Sequence, residues 1–286
     1  MSKPIILVTG KNGQLGNELQ VLSKQYEQYE FVFTDAAELD ITDTKKLADF
    51  FLEQTPFACI NAAAYTAVDK AETDKELSLK INAEAVSTLA ENCRRHGSRL
   101  IHISTDYVFD GLGNTPYKEE DAVRPVNYYG YTKLKGEEAA ATNPETVIIR
   151  TSWVYSYYGN NFVKTMLRLM KERESINVVN DQFGSPTYAA DLAQAILDIV
   201  LSQNFKAGIY HYSNAGVISW YDFATMIRKS AGLSCTVNPI NTAGYPTPAN
   251  RPAYSVLDKE KIKNVYNLPI HEWKESLSKC LSLLQQ

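Results

Sequence analysis

Short apolar runs alternate along the chain with longer stretches whose apolar positions recur every three or four residues. Ile5-Ile6-Leu7-Val8 is brief, continuous and β-branched, as expected of a strand covered on both faces. Leu15, Leu19 and Leu22 then share one helical face. Phe31-Val32-Phe33 predicts a second strand ending at Asp35, Leu47, Phe50 and Phe51 a helix, and Ala58-Cys59-Ile60 a third strand. A long helical pattern covers 74–95, and Leu100-Ile101-His102-Ile103 makes a fourth strand. A further helix over 128–141 leads into a fifth strand, Val147-Ile148-Ile149. Strands joined by helices require right-handed crossovers, so the expected fold class is α/β, a Rossmann-like doubly wound parallel sheet with a smaller C-terminal lobe.

After residue 150 the pattern changes. Pro and Gly punctuate 184–187 and 245–252, with helices expected over 161–172, 189–201 and 219–230. Ser219 and Asp222 form a capping pair for the last of these. The expected division is a dinucleotide-binding core over 1–150 and a mainly substrate-binding lobe over 151–286, interdigitated with it.

Composition removes several function classes. The 286 residues are 44% hydrophobic and 22% charged, enough for a sizeable core. Lys and Arg number 29 against 33 Asp and Glu, a net charge of −4 that leaves no basic face for nucleic acid. The best apolar run, 192–201, is too short to span a bilayer and is broken by Gln194 and Asp198, so no membrane partner is expected. The N-terminus runs directly into a Gly-rich turn without a cleavage region, and the four cysteines are scattered. A cytoplasmic protein with reduced thiols is the expectation. His96, His102, His211 and His271 are dispersed, and no metal is expected.

The chemistry concentrates at two places. Gly10-Lys11-Asn12-Gly13-Gln14-Leu15-Gly16 lies between a strand and a helix, where glycines permit a tight turn and helix N–H groups meet a pyrophosphate. Asp35 follows Gly16 at about the 20-residue offset of a carboxylate that binds the adenosine ribose. It suits a free 2′-hydroxyl, whereas Lys11 would suit a 2′-phosphate, so NADPH and NADH both stay open. The second place is Tyr129 and Lys133, four apart on a helix, where an ammonium would favour phenolate and ease proton exchange. Tyr131 and Lys135 repeat the spacing, which therefore does not choose between them. Ser104 and Thr105 end the fourth strand and should face the cofactor crevice, where a hydroxyl can hold a substrate carbonyl. Trp153, a lone Trp after a strand, reads more readily as a core residue or anchor than as a ligand contact. Arg251, in a Pro-rich loop, reads as a diphosphate fork or a solvated charge, and Lys164 with Arg168 as a solvated face.

These residues resemble the extended short-chain dehydrogenase/reductase family. The resemblance rests on the Gly turn, Asn61-Ala62-Ala63-Ala64, Ser104-Thr105 and the Tyr-Gly-x-Thr-Lys motif at 129–133. Further matching segments, Arg150-Thr151-Ser152-Trp153, Asn180-Asp181-Gln182-Phe183-Gly184 and 245–252, carry it over both lobes. It chooses Tyr129 over Tyr131. It implies reduction of the C4 keto group of a dTDP-sugar, dTDP-4-dehydro-L-rhamnose, by NADPH or NADH. Tyr129 would be the proton donor, Lys133 its modulator and ribose ligand, and Thr105 the residue orienting the keto oxygen. Asp106 and Trp153 fall at sugar positions; Gly13, Gln14, Leu15, Asp35, Asp40, Ile41, Ala64, Tyr65 and Thr66 fall at cofactor positions. Thr105 is followed by Asp106-Tyr107, without the Glu that a related dehydratase carries. Glu18 matches a surface glutamate through which some relatives bind magnesium and dimerise, but the second position is Ala190. A monomer or weak homodimer is expected.

Overall fold

The computed structural model describes residues 3–285. Its centre is a six-stranded parallel sheet containing β1 (Ile5–Thr9), β2 (Glu30–Thr34), β3 (Ala58–Asn61), β4 (Arg99–Thr105), β5 (Thr146–Thr151) and the strand Gly208–His211. Their spatial order is Gly208–His211, β5, β4, β3, β1, β2, so the chain reverses direction of travel beside β1. Strand alternation splits the apolar runs between two helical layers. Ile6, Val8, Ile60, Ile101 and Ile149 pack with Leu19, Leu192 and Ile196, while Leu7, Cys59, Leu100 and Ile148 pack with Leu47, Phe51, Val86 and Leu89. Both faces are therefore dry, and that is why these strands read as continuous apolar runs.

The sequence pattern places the first five strands and their helices to within a few residues. One addition comes from beyond residue 150: helix Ala189–Val200 packs on α1 (Gln14–Ser23), and Gly208–His211 pairs in parallel with β5. Gly-Ile-Tyr-His is too short and mixed to stand out as a strand. The rest of the C-terminal half forms its own core, in which Val163, Met166, Phe223, Ile227 and Leu277 meet. The Ser219–Asp222 capping box is present, and Asn161 caps Phe162–Glu172 by accepting from Lys164 N.

The long helix expected over 74–95 is interrupted. It runs as Lys75–Leu79, a π turn over Lys80–Glu84, and Ala85–His96, closing on Gly97 at φ 66°. The π turn places Asn82 inward, where it accepts from Tyr65 N at 2.8 Å and donates to Tyr65 O and Thr132 Oγ1, each at 3.0 Å. Such turns occur frequently at functional sites. Here it ties the loop after β3 to the helix Tyr128–Ala140.

Candidate active site

A cleft of about 1150 Å³ opens along the C-terminal ends of the parallel strands, where open α/β sheets bind ligands. At one end is the turn after β1. Gly10 has φ 74°, and a β-carbon on it would lie 2.7 Å from Ala63 N. Gly16 does not line the cleft; a β-carbon there would run into Gly10 O, so this glycine serves the close packing of helix on turn. Among the described residues no side chain caps α1 at Gly13, so its first-turn N–H groups can meet an anion. These features fit a dinucleotide pyrophosphate, with Gly13, Gln14 and Leu15 lining the wall.

Asp35 directly follows β2 and caps a short helix, accepting from Ala36 N at 2.8 Å and from Asn12 N at 3.2 Å. Asp40 accepts from Thr42 N, and both it and the buried Ile41 line the same end of the cleft. Ala64 and Thr66 continue the wall. Tyr65 does not; its hydroxyl donates to Asp74 at 2.7 Å.

Opposite the turn lie Thr105, Asp106, Tyr129, Lys133 and Trp153. Asn127 caps the Tyr128–Ala140 helix, so Tyr129 enters the cleft from its first turn and Lys133 from its second. Lys133 is buried, and its Nζ donates to Ile103 O at 2.7 Å, which leaves ammonium protons free to meet a ribose. Burial pulls its pKa down to about 8, with Glu137 opposing. Tyr131 is exposed and its partner Lys135 pairs with Glu138, so the second Tyr–Lys spacing lies outside the cleft.

Two expectations change. The phenol of Tyr129 is not drawn toward phenolate. Burial first, then the Asp106 charge, pushes its pKa above the ordinary value, while the Thr105 hydroxyl pulls weakly the other way. Arg251 is neither a free fork nor a solvated charge: it grips Asp69 through two bonds of 2.7 and 2.8 Å, and it does not line the cleft. Asp69 also accepts from Ala249 N, so this pair fastens the Pro-rich loop to the segment after β3.

Thr105 Oγ1 donates to Asp106 Oδ1 at 2.9 Å and accepts from Tyr107 N. Burial lifts the Asp106 pKa to about 6 against the Ser255 and Thr105 hydroxyls, and among the described residues its Oδ2 meets no hydrogen-bond partner by distance and angle. A buried carboxylate oxygen so placed at a cleft wall has lone pairs to offer a hydroxyl donor. Trp153 is packed and also faces the cleft. Its indole stacks on Trp220 with centroids 3.5 Å apart, and it lines the cleft from a left-handed backbone at φ 48°. Strain of this kind persists where surroundings over-determine a residue, and Gly184 supplies the room: a β-carbon there would lie 2.7 Å from the indole.

Sequence reasoning missed the layer beneath. Glu137, one turn past Lys133, forms a buried ion pair with Arg150 at 2.7 Å and accepts from Ser104 Oγ at 2.5 Å. Its four-residue spacing from Lys133 was the available signal. Thr9, Asn61 and His102 make a second buried chain across β1, β3 and β4, in bonds of 2.8 and 3.1 Å. Glu18 is buried rather than on the surface, and Ser156 Oγ donates to it at 2.6 Å.

Fold and site together define the extended short-chain dehydrogenase/reductase class: a glycine turn beneath a dinucleotide cleft, with a Tyr–Lys helix facing it. The chain belongs to the family described as RmlD substrate binding domain, whose pattern matches residues 4–286. It is 42% identical over 283 residues to a dTDP-4-dehydrorhamnose reductase of Aggregatibacter actinomycetemcomitans, covering 95% of this chain and 96% of that one. A dTDP-4-dehydrorhamnose reductase of Clostridium acetobutylicum superposes with a TM-score of 0.95 at 43% identity, over 99% of this chain and 100% of the other. Its counterpart from Bacillus anthracis, solved in complex with NADP, gives 0.94 at 39% identity, over 98% and 99%.

Proposed function

We propose that this chain uses NADPH or NADH to reduce the C4 keto group of dTDP-4-dehydro-β-L-rhamnose, forming dTDP-L-rhamnose, the last step of dTDP-rhamnose biosynthesis. The observation that carries the reading is the convergence of Tyr129, Lys133 and Thr105 on one cleft with the glycine turn, in a chain similar to such reductases from end to end. The reduced nicotinamide supplies hydride when bound. Hydride arrival at C4 puts negative charge on the keto oxygen, which then needs a proton. Tyr129 is the acid. Its raised pKa keeps the hydroxyl protonated at neutral pH, the state from which a donor must start. An alkoxide is more basic than a phenolate, so the transfer runs downhill. The Lys133 ammonium stabilises the phenolate left behind and holds the nicotinamide ribose. Thr105 turns its hydroxyl from Asp106 to the keto oxygen, and Asp106 takes a sugar hydroxyl in exchange.

In this reading residues 1–150 chiefly hold the coenzyme and 151–286 chiefly shape the sugar site, Trp153 forming a wall of it. Arg251, committed to Asp69, fastens the 245–252 loop to the segment after β3 rather than holding the diphosphate. The chain is read as a monomer or weak homodimer, and its four cysteines, all buried free thiols, suit a reducing cytoplasm. The test feeds the dTDP-keto sugar made from dTDP-glucose to the purified chain and follows loss of reduced-coenzyme absorbance. Turnover with formation of dTDP-L-rhamnose is expected. Tightly held NAD that recycles hydride without net coenzyme consumption would point instead to an epimerase.

A further inference from the structure

Lys11 follows the first glycine of the turn, and a cation there would suit a coenzyme 2′-phosphate. Its ammonium is already engaged. Glu38 Oε1 accepts from Lys11 Nζ at 2.5 Å, while Glu38 Oε2 accepts from Asp35 N at 3.0 Å. Both carboxylate oxygens are thus fixed, one by the capping box that closes the helix after β2 and one by the lysine. Asp35 is fixed in the same way, its two oxygens taken by Ala36 N and Asn12 N. Two carboxylates and one ammonium therefore meet where the strand-end carboxylate of this fold reads the adenosine ribose. A neutral 2′-hydroxyl enters such a cluster without a charge penalty. A 2′-phosphate, near −2 in charge, must pull Lys11 from Glu38 and then lie beside both carboxylates.

We propose that Glu38 sets the coenzyme preference of this chain, withholding Lys11 from a 2′-phosphate and so favouring NADH over NADPH. The inference rests on the dinucleotide-binding part of the function proposed above and adds a residue to it. Glu38 lies outside the cleft wall, and its contact with Lys11 is partly exposed, so the effect is a bias and weakens with salt. The lysine–glutamate hydrogen bond also holds the Glu38 carboxyl below its ordinary range, so Glu38 keeps its negative charge across neutral pH.

The experiment measures dissociation constants for NAD+ and NADP+, without sugar, by calorimetry on the full chain and on Glu38→Gln. Glutamine keeps an oxygen for Asp35 N, so the cap survives while the charge is lost. The wild-type chain should bind NAD+ more tightly. In Glu38→Gln the NADP+ to NAD+ ratio of dissociation constants should fall about tenfold, and adding Lys11→Met should restore it. Wild-type preference for NADP+, or a ratio unmoved by Glu38→Gln, overturns the inference while leaving the reductase reading in place. Binding of neither coenzyme overturns both.

Discussion

Replacing Lys133 by Met exchanges a buried cation for an apolar chain of similar length. Burial holds the Lys133 pKa at about 8, against an ordinary 10.5. A drop of that size corresponds to about 3 kcal/mol of folding free energy spent on keeping the charge inside. Methionine removes that cost but loses the donation to Ile103 O, worth about 1 kcal/mol. The variant should be about 2 kcal/mol more stable at pH 7. Between pH 8 and 10.5 the unfolded wild-type chain holds the proton and the folded chain does not, so wild-type stability rises with pH. The advantage of the variant therefore shrinks through that window and reverses above it, where neutral lysine still bonds Ile103. Urea unfolding of both proteins at pH 7, 8.5 and 10 reads the difference directly. A variant less stable than wild type by one constant amount at every pH would refute the reasoning. Ketone reduction should be nearly abolished throughout, since the charge that destabilises the fold serves the reaction.

Two other perturbations separate charge from packing. Asp106 reaches its ionised form only above about pH 6, so kcat/KM should fall as pH drops through that value. Asp106→Asn should flatten this acid limb while raising KM for the sugar, and an unchanged limb would assign it to another group. Glu137→Gln leaves Arg150 buried without its counter-charge and should cost about 3–5 kcal/mol in denaturant unfolding. Pairing it with Arg150→Met should recover much of that loss; equal losses in single and double variants would show that the ion pair is not the source.

Much of this molecule is legible in its sequence because parallel strands covered on both faces leave an unmistakable mark. Ile5 to Val8 and Val147 to Ile149 are continuous apolar runs for that physical reason, and the glycine turn is tied to the first of them. The strand Gly208–His211 escapes notice because edge position and four residues give it no run to display. Asn82 escapes because a π turn has the composition of an ordinary helix, and only its partners Tyr65 and Thr132 give it meaning. At the site, spacing brings Tyr129 and Lys133 to one face but says nothing of burial, and burial decides their proton affinities. The expected pull toward phenolate is not found: burial and the Asp106 charge raise the Tyr129 pKa, and only the Thr105 hydroxyl lowers it. Arg251 reads as a diphosphate fork or a loop charge, and not as an ion-pair partner, because Asp69 lies far away in the chain.

The central claim is that the Tyr129 hydroxyl quenches the charge formed at C4 of the sugar. Single-turnover mixing of Tyr129→Phe, loaded with reduced coenzyme, against the dTDP-keto sugar tests it most directly. The account predicts that coenzyme and sugar bind nearly as in wild type, while the absorbance decay that reports hydride transfer slows by a factor of about 10²–10⁴. Decay at the wild-type rate with both ligands bound would contradict it and move the proton donor to another group.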